Sequence, residues 1–191
     1  MKKPLQSPNP LLQPTNRGTL PTTLWIAILA IFSAIGIVFR QIAIPTFSPY
    51  VTLTPGFLIP LLTGIVLGPI GGLLCGLFVG ISGALWEPIL IPLLGNVALG
   101  ISTGIPTFYR HKLHQTPWIL ACIISAIIIG GFLPTFTIEV LVFGVLPIIA
   151  ALAASIDAVQ AGIWIALAII LTQGIIEPIL SKYSKPNSIP E

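Results

Sequence analysis

Charge is what this chain has least of. Its 191 residues include eight Lys and Arg and five Asp and Glu, 7% in all, where ordinary globular domains carry about 25%. With 55% hydrophobic residues and a mean hydropathy of +1.04, the composition is that of an integral membrane protein. The net charge of +3 reads as topology rather than nucleic-acid binding. Seven of the eight cations fall in three short segments: Lys2, Lys3 and Arg17, then Arg110 and Lys112, then Lys182 and Lys185. Cysteine is equally scarce. Cys75 and Cys122 both lie inside apolar runs, where a thiol behaves as a small hydrophobe, so neither a disulfide nor a metal centre is expected.

Catalytic and energising motifs are missing too. No GxxxxGK[ST] loop is present, so the chain does not itself couple ATP. His111 and His114 both sit in the basic segment Arg110 to Thr116, away from most candidate nucleophiles, which leaves no Ser-His or Cys-His pair at a common depth. Nothing of ligand type surrounds these histidines. The expectation is a protein that is not an enzyme and carries no cofactor. The short alternating segments of a membrane β-barrel are lacking as well.

What the chain does have is apolar runs of about 20 residues, the length a helix needs to cross a bilayer core. The pattern predicts an all-α membrane protein, a bundle of six transmembrane helices over 23–181. A proline-rich disordered tail, 1–22, precedes it and a short polar tail, 182–191, follows. The helices are expected near 24–44, 57–67, 68–87, 89–109, 117–133 and 157–180. Residues 45–56, with three prolines and three threonines, read as an ordered surface connection. Residues 134–155 are apolar but broken by Pro134, Gly144 and Pro147, and suggest a re-entrant or surface-lying segment. Gly68, Gly72, Gly76, Gly80 and Ala84 recur every fourth residue and form a groove where another backbone can approach closely. Ala27, Ala30 and Ala34 give the first helix a small-residue face, suited either to packing within the bundle or to contact with another protein.

Six helices place both termini on one side, and all three basic clusters then share the cytoplasmic face. Arg40, Glu87, Glu139 and Asp157 gather toward the external end. Ionisable groups at membrane depth are functional candidates because burying them is costly unless they are paired or solvated. Glu87 and Asp157, near Trp86 and Trp164, would suit a small cationic heterocycle through charge pairing and cation–π contact. The alternative is that Arg40 neutralises one carboxylate while the others meet headgroup water. Gln160 shares a helix face with Asp157 and Trp164, and Asn96 faces the same way as Thr103. Glu177, before Pro178 at the cytoplasmic end, reads as an interfacial residue.

The polar tail, six helices, Ala30-x-x-x-Ala34, the long first external loop and the turn LGPIGG (Leu67 to Gly72) together resemble one family. It is that of the substrate-binding membrane subunits, or S-components, of energy-coupling factor (ECF) vitamin transporters. The resemblance covers about residues 24 to 180. It implies a multi-pass protein of the cell membrane that captures a vitamin or related micronutrient in an external pocket. It also implies docking, through Ala27, Ala30 and Ala34, onto a transmembrane coupling protein driven by two cytoplasmic ATPases. By position, Trp86, Glu87, Asn96, Glu139, Asp157, Gln160, Trp164 and Arg40 are the candidate substrate residues. A rival reading is a stand-alone secondary transporter with Glu87, Glu139 or Asp157 as proton relays, although no clear inverted repeat supports it. A scaffold without a ligand is the third.

Overall fold

A computed structural model describes residues 20–42, 44–45, 52–83 and 90–183. Most of the expected N-terminal tail, much of the first loop, the Trp86-Glu87-Pro88 turn and nearly all of the C-terminal tail lie outside the described residues. Among the described residues the fold is all-helical apart from one two-residue strand pair, and five helical stretches are long and apolar enough to cross a membrane.

Helix α1 (Thr22–Arg40) starts directly after Pro21, whose fixed φ prepares the first turn. It ends four residues before the boundary expected from sequence, because the chain turns out at Gln41 into the strand pair. Strands β1 (Ile44–Pro45) and β2 (Thr52–Leu53) run antiparallel, with Ile44 opposite Leu53. A 3₁₀ turn, Pro55–Phe57, then leads into α2 (Leu58–Gly83).

Helix α2 has two arms. Gly68 breaks its helical geometry with φ +80°, a conformation that glycine adopts without a Cβ clash, and Pro69 follows without an N–H to bridge the break. A methyl placed on Gly36 would lie 2.5 Å from Val79 Cγ2 and 3.2 Å from Ile59 Cβ. On one straight helix, positions 59 and 79 would stand about 30 Å apart at 1.5 Å per residue. The arms therefore fold back on one another at Gly68.

Helix α3 (Leu90–Phe108) packs along the second arm. Gly72 and Gly100 meet backbone to backbone, and a methyl on either would sit 2.2 or 2.1 Å from the other's carbonyl oxygen. Gly76 and Gly80 make the same close approach to the backbone at Asn96 and Leu93. The glycine spacing thus serves packing inside the bundle.

After a 3₁₀ turn at Arg110–Lys112, the chain stays helical from α4 (Gln115–Ser125) through a π-helical stretch (Ala126–Phe132) into α5 (Leu133–Leu141). Pro134 does not end this helix as the sequence suggested. The wide π turn directly before it accommodates a residue that has no N–H to donate. The chain reverses over 142–146, where Gly144 has φ +65° and Val145 N–H donates to the Glu139 carbonyl at 2.9 Å. Helix α6 (Pro147–Leu171) follows, then a π-helical stretch (Thr172–Ile176) and α7 (Glu177–Tyr183). Residues 134–155, expected as a broken segment, are more regular than that. They are a helix end, a turn and a helix start, since proline in a first turn begins a helix rather than breaking it.

The core lies where both arms of α2 meet α3, α4 and α6, and includes Leu61, Ile65, Val79, Leu99, Trp118 and Ile165. Helix α1 is peripheral, burying only Leu29, Ser33, Gly36 and Arg40.

Candidate functional site

The start of α6 at Pro147 changes the depth of its polar residues. Asp157 lies ten positions inside the helix, roughly 15 Å from its first residue, rather than at the helix mouth. Asp157 and Gln160 are both buried, one turn apart on one face, and Gln160 Nε2 donates to Asp157 Oδ1 at 3.4 Å. From α5, Thr135 Oγ1 donates to Asp157 Oδ2 at 2.5 Å. Glu139 is four residues beyond Thr135, on the same side of α5, and is fully buried.

The other side of the site comes from the connection after α1. Thr54 is buried and donates its backbone N–H to Gln160 Oε1 at 2.5 Å. Its hydroxyl donates to the Phe39 carbonyl at 3.2 Å and accepts from Gly56 N–H at 3.0 Å, capping the 3₁₀ turn. Arg40 is buried at the same end of α1, its aliphatic chain against Gly56 and its guanidinium against Gly83. One line of polar groups thus runs from the end of α1 through Thr54, Gln160 and Asp157 to Thr135. At bilayer depth this is how polar side chains are accommodated, each bonded to another.

Beside this line is an open groove of ≈ 570 Å³. Leu53, Thr54 and Pro55 form one wall, and Ile156, Gln160 and Trp164 form the other. Trp164 is partly buried and packs against the core. Apart from the Thr54 and Gln160 edge, the walls are mostly aliphatic or aromatic.

Of the residues singled out from sequence, Arg40, Asp157, Gln160, Glu139 and Trp164 are placed on or beside this line and groove. Trp86 and Glu87 lie outside the described residues. Asn96 is elsewhere. It is buried where α3 crosses the second arm of α2, and its Nδ2 donates to the Pro92 carbonyl of its own helix at 2.7 Å. Thr54 and Thr135 were not singled out from sequence. Thr135 carried a signal, its i, i+4 spacing to Glu139, but only once the segment is known to be helical.

At the other end of the bundle Arg110 forms an ion pair with Glu177, its second guanidinium nitrogen 3.4 Å from Oε2, and stacks over the Trp118 ring at 4.1 Å. Glu177 is thus paired across 67 positions. No group of three or more potential metal ligands occurs among the described residues.

The description "ECF transporter, substrate-specific component" matches residues 25–183. A solved structure, that of the S component of a bacterial ECF transporter, is similar at 18% identity. The likeness covers 87% of this chain and 100% of that one, with a TM-score of 0.63, which shows a common fold. No curated protein matches the chain.

Proposed function

The chain belongs to the ECF transporter substrate-specific component family, and from that premise we propose that it captures a small vitamin-like molecule at the outer side of the cell membrane. Import is then energised in trans by a transmembrane coupling protein and two cytoplasmic ATPases. A substrate-binding subunit of this kind is a multi-pass membrane protein with no reaction of its own. The observation that carries the reading is the hydrogen bond from Thr54 to Gln160, in line with Asp157 and Thr135 and bordering the groove. It ties Thr54, just ahead of the turn into α2, to a side chain that borders the groove. Arg40, Glu139 and Trp164 complete the site.

The folded-back arms of α2 support six membrane passes rather than five, each arm counting as one. Six passes return both termini and the Arg110 segment to one side, where the positive-inside bias makes that side cytoplasmic. Ala27, Ala30 and Ala34 are all exposed on α1, the least buried of the long helices. They form the docking face for the coupling protein in this reading, since small residues let a second helix come close.

The test is to purify the protein alone and screen vitamins by thermal shift and calorimetry, then measure uptake with and without the coupling protein and ATPases. Tight binding without ATP, with uptake only in the full assembly, supports the proposal. Uptake by the isolated protein driven by a proton gradient would overturn it in favour of a carrier using Glu139 and Asp157.

A further inference from the structure

The helix that runs from α4 into α5 buries two sets of side chains that a straight α-helix could not place on one face. Trp118, Cys122 and Ala126 follow one another at every fourth position and are fully buried, and beyond them Thr135 and Glu139 are buried as well. Ala126 and Thr135 are nine positions apart, which at 3.6 residues per turn is about two and a half turns, and so opposite sides of one helix. The outward stripe slips at the same place. Leu120, Ile124 and Ile128 are exposed at every fourth position, and the stripe then restarts one position later with Ile129, Leu133 and Leu141. The slip falls inside the π-helical stretch Ala126–Phe132, whose wider turn absorbs one residue more than an α turn. Two adjacent glycines seat that turn between its neighbours. A methyl on Gly130 would lie 2.8 Å from Leu99 Cδ2 of α3, and one on Gly131 would lie 2.8 Å from the Asp157 carbonyl oxygen of α6.

We propose that this π turn is a positioning element of the capture site, with Gly130 and Gly131 as its positioning residues. The one residue it absorbs turns α5 by about 100° relative to a straight helix. That rotation takes Thr135 and Glu139 off the side on which Leu120 and Ile124 face outward, and sets the Thr135 hydroxyl on Asp157. Asp157 in turn accepts from Gln160 Nε2, and Gln160 both borders the groove and accepts the Thr54 N–H. Through Thr135 and Asp157 the turn thus fixes how the Gln160 amide is presented at the groove. The proposal rests on the substrate-capture reading above and adds a part of the chain that does not line the groove. An uninterrupted α-helix would instead turn Thr135 and Glu139 toward hydrocarbon, where a carboxylate is costly.

The experiment uses the full chain in lipid nanodiscs, with Cys75→Ala and Cys122→Ala, and pairs Asp157→Cys in turn with Pro134→Cys, Thr135→Cys or Phe136→Cys. Under copper phenanthroline the Thr135→Cys pair should form a disulfide and the other two should not. One alanine inserted after Ile129 should move the disulfide to the Pro134→Cys pair, because position 134 then takes the phase of 135. Removing Ile129 should leave it on the Thr135→Cys pair, because the stretch then closes into a regular α-helix. A disulfide that stays at 135 after the insertion, or moves to 136 after the deletion, would overturn the proposal. In chains that keep Thr135 and Asp157, hydrogen exchange of the Thr54 amide should rise several-fold with the insertion and stay unchanged with the deletion. A deletion that speeds Thr54 exchange as much as the insertion would show that the turn serves packing alone, and would also overturn it. These readouts need no ligand. A chain that gives all of them and binds none of the screened vitamins in calorimetry keeps the turn's hold on Gln160 and overturns capture.

Discussion

Thr54 and Gln160 are 106 positions apart in sequence and joined by a buried hydrogen bond of 2.5 Å, backbone N–H to side-chain oxygen. The bond pins the connection after α1 to the middle of the bundle. In Gln160→Ala the Thr54 N–H loses its acceptor, at a cost of about 1–3 kcal/mol for a buried donor left unsatisfied. Hydrogen exchange should show the Thr54 amide opening roughly ten- to a hundredfold faster, each 1.4 kcal/mol being a factor of ten. Unchanged exchange at Thr54 would mean that Gln160 does not hold the loop.

Thr135 acts one step further along the line, through Asp157. Thr135→Val keeps the shape and removes the donor to Oδ2. Interhelical hydrogen bonds in membranes contribute about 1–2 kcal/mol in model peptides, so ligand affinity should fall several-fold in calorimetry. Thr135→Ser, which restores the hydroxyl, should recover most of it. A serine variant as weak as the valine one would show that the methyl, not the hydroxyl, matters.

Two glycines of α2 should fail for different reasons. Gly68→Ala meets no atom within 4 Å, so its effect is purely conformational. With φ +80° and ψ −171° the position lies in a region open essentially to glycine alone, and holding an alanine there costs on the order of 1–3 kcal/mol, seen as a loss of Tm. Gly72→Ala instead drives a methyl to 2.2 Å from the Gly100 carbonyl oxygen, and two backbones must separate. It should unfold at clearly lower temperature than Gly68→Ala, and the reverse order would contradict the packing described for α2 and α3.

Ala30→Trp places a bulky side chain on the exposed face of α1. Co-purification with the coupling protein should be lost while ligand affinity in the isolated subunit is unchanged. If affinity drops and the complex still forms, the division between docking face and pocket is misplaced.

The Arg110 and Glu177 pair is partly exposed, with side chains 26% and 24% accessible. A double-mutant cycle with Arg110→Ala and Glu177→Ala should give a coupling of about 1 kcal/mol, the upper end for exposed pairs, and it should weaken in high salt. Zero coupling would leave Arg110 with only its stacking on Trp118.

Much of this was legible because it depends on local pattern. Apolar run lengths announced the membrane, and the four-residue glycine spacing announced close backbone packing. The Gly68-Pro69 break was visible as chemistry that no helix tolerates without interruption. The polar line was only half legible. Asp157 and Gln160 are three apart on one helix, so their shared face follows from helical period, whereas Thr54 reaches them from a hundred positions away. The segment around Pro134 misled because a proline signals a break unless a π turn precedes it, and apolar runs such as Ala126 to Phe132 do not distinguish π from α.

The first arm of α2 is buried without interruption from Leu58 to Val66. Its surroundings are protein on every side, so it has no lipid boundary and no hydrophobic mismatch to satisfy. Bilayers of different thickness act on helices such as α1 and α6, whose exposed apolar stripes must match the acyl chains, at fractions of a kcal/mol per Å. The arm that follows the first loop is insulated from that force. The seat of the loop should therefore keep its geometry when the protein moves between membranes, even as its outer helices tilt to fit.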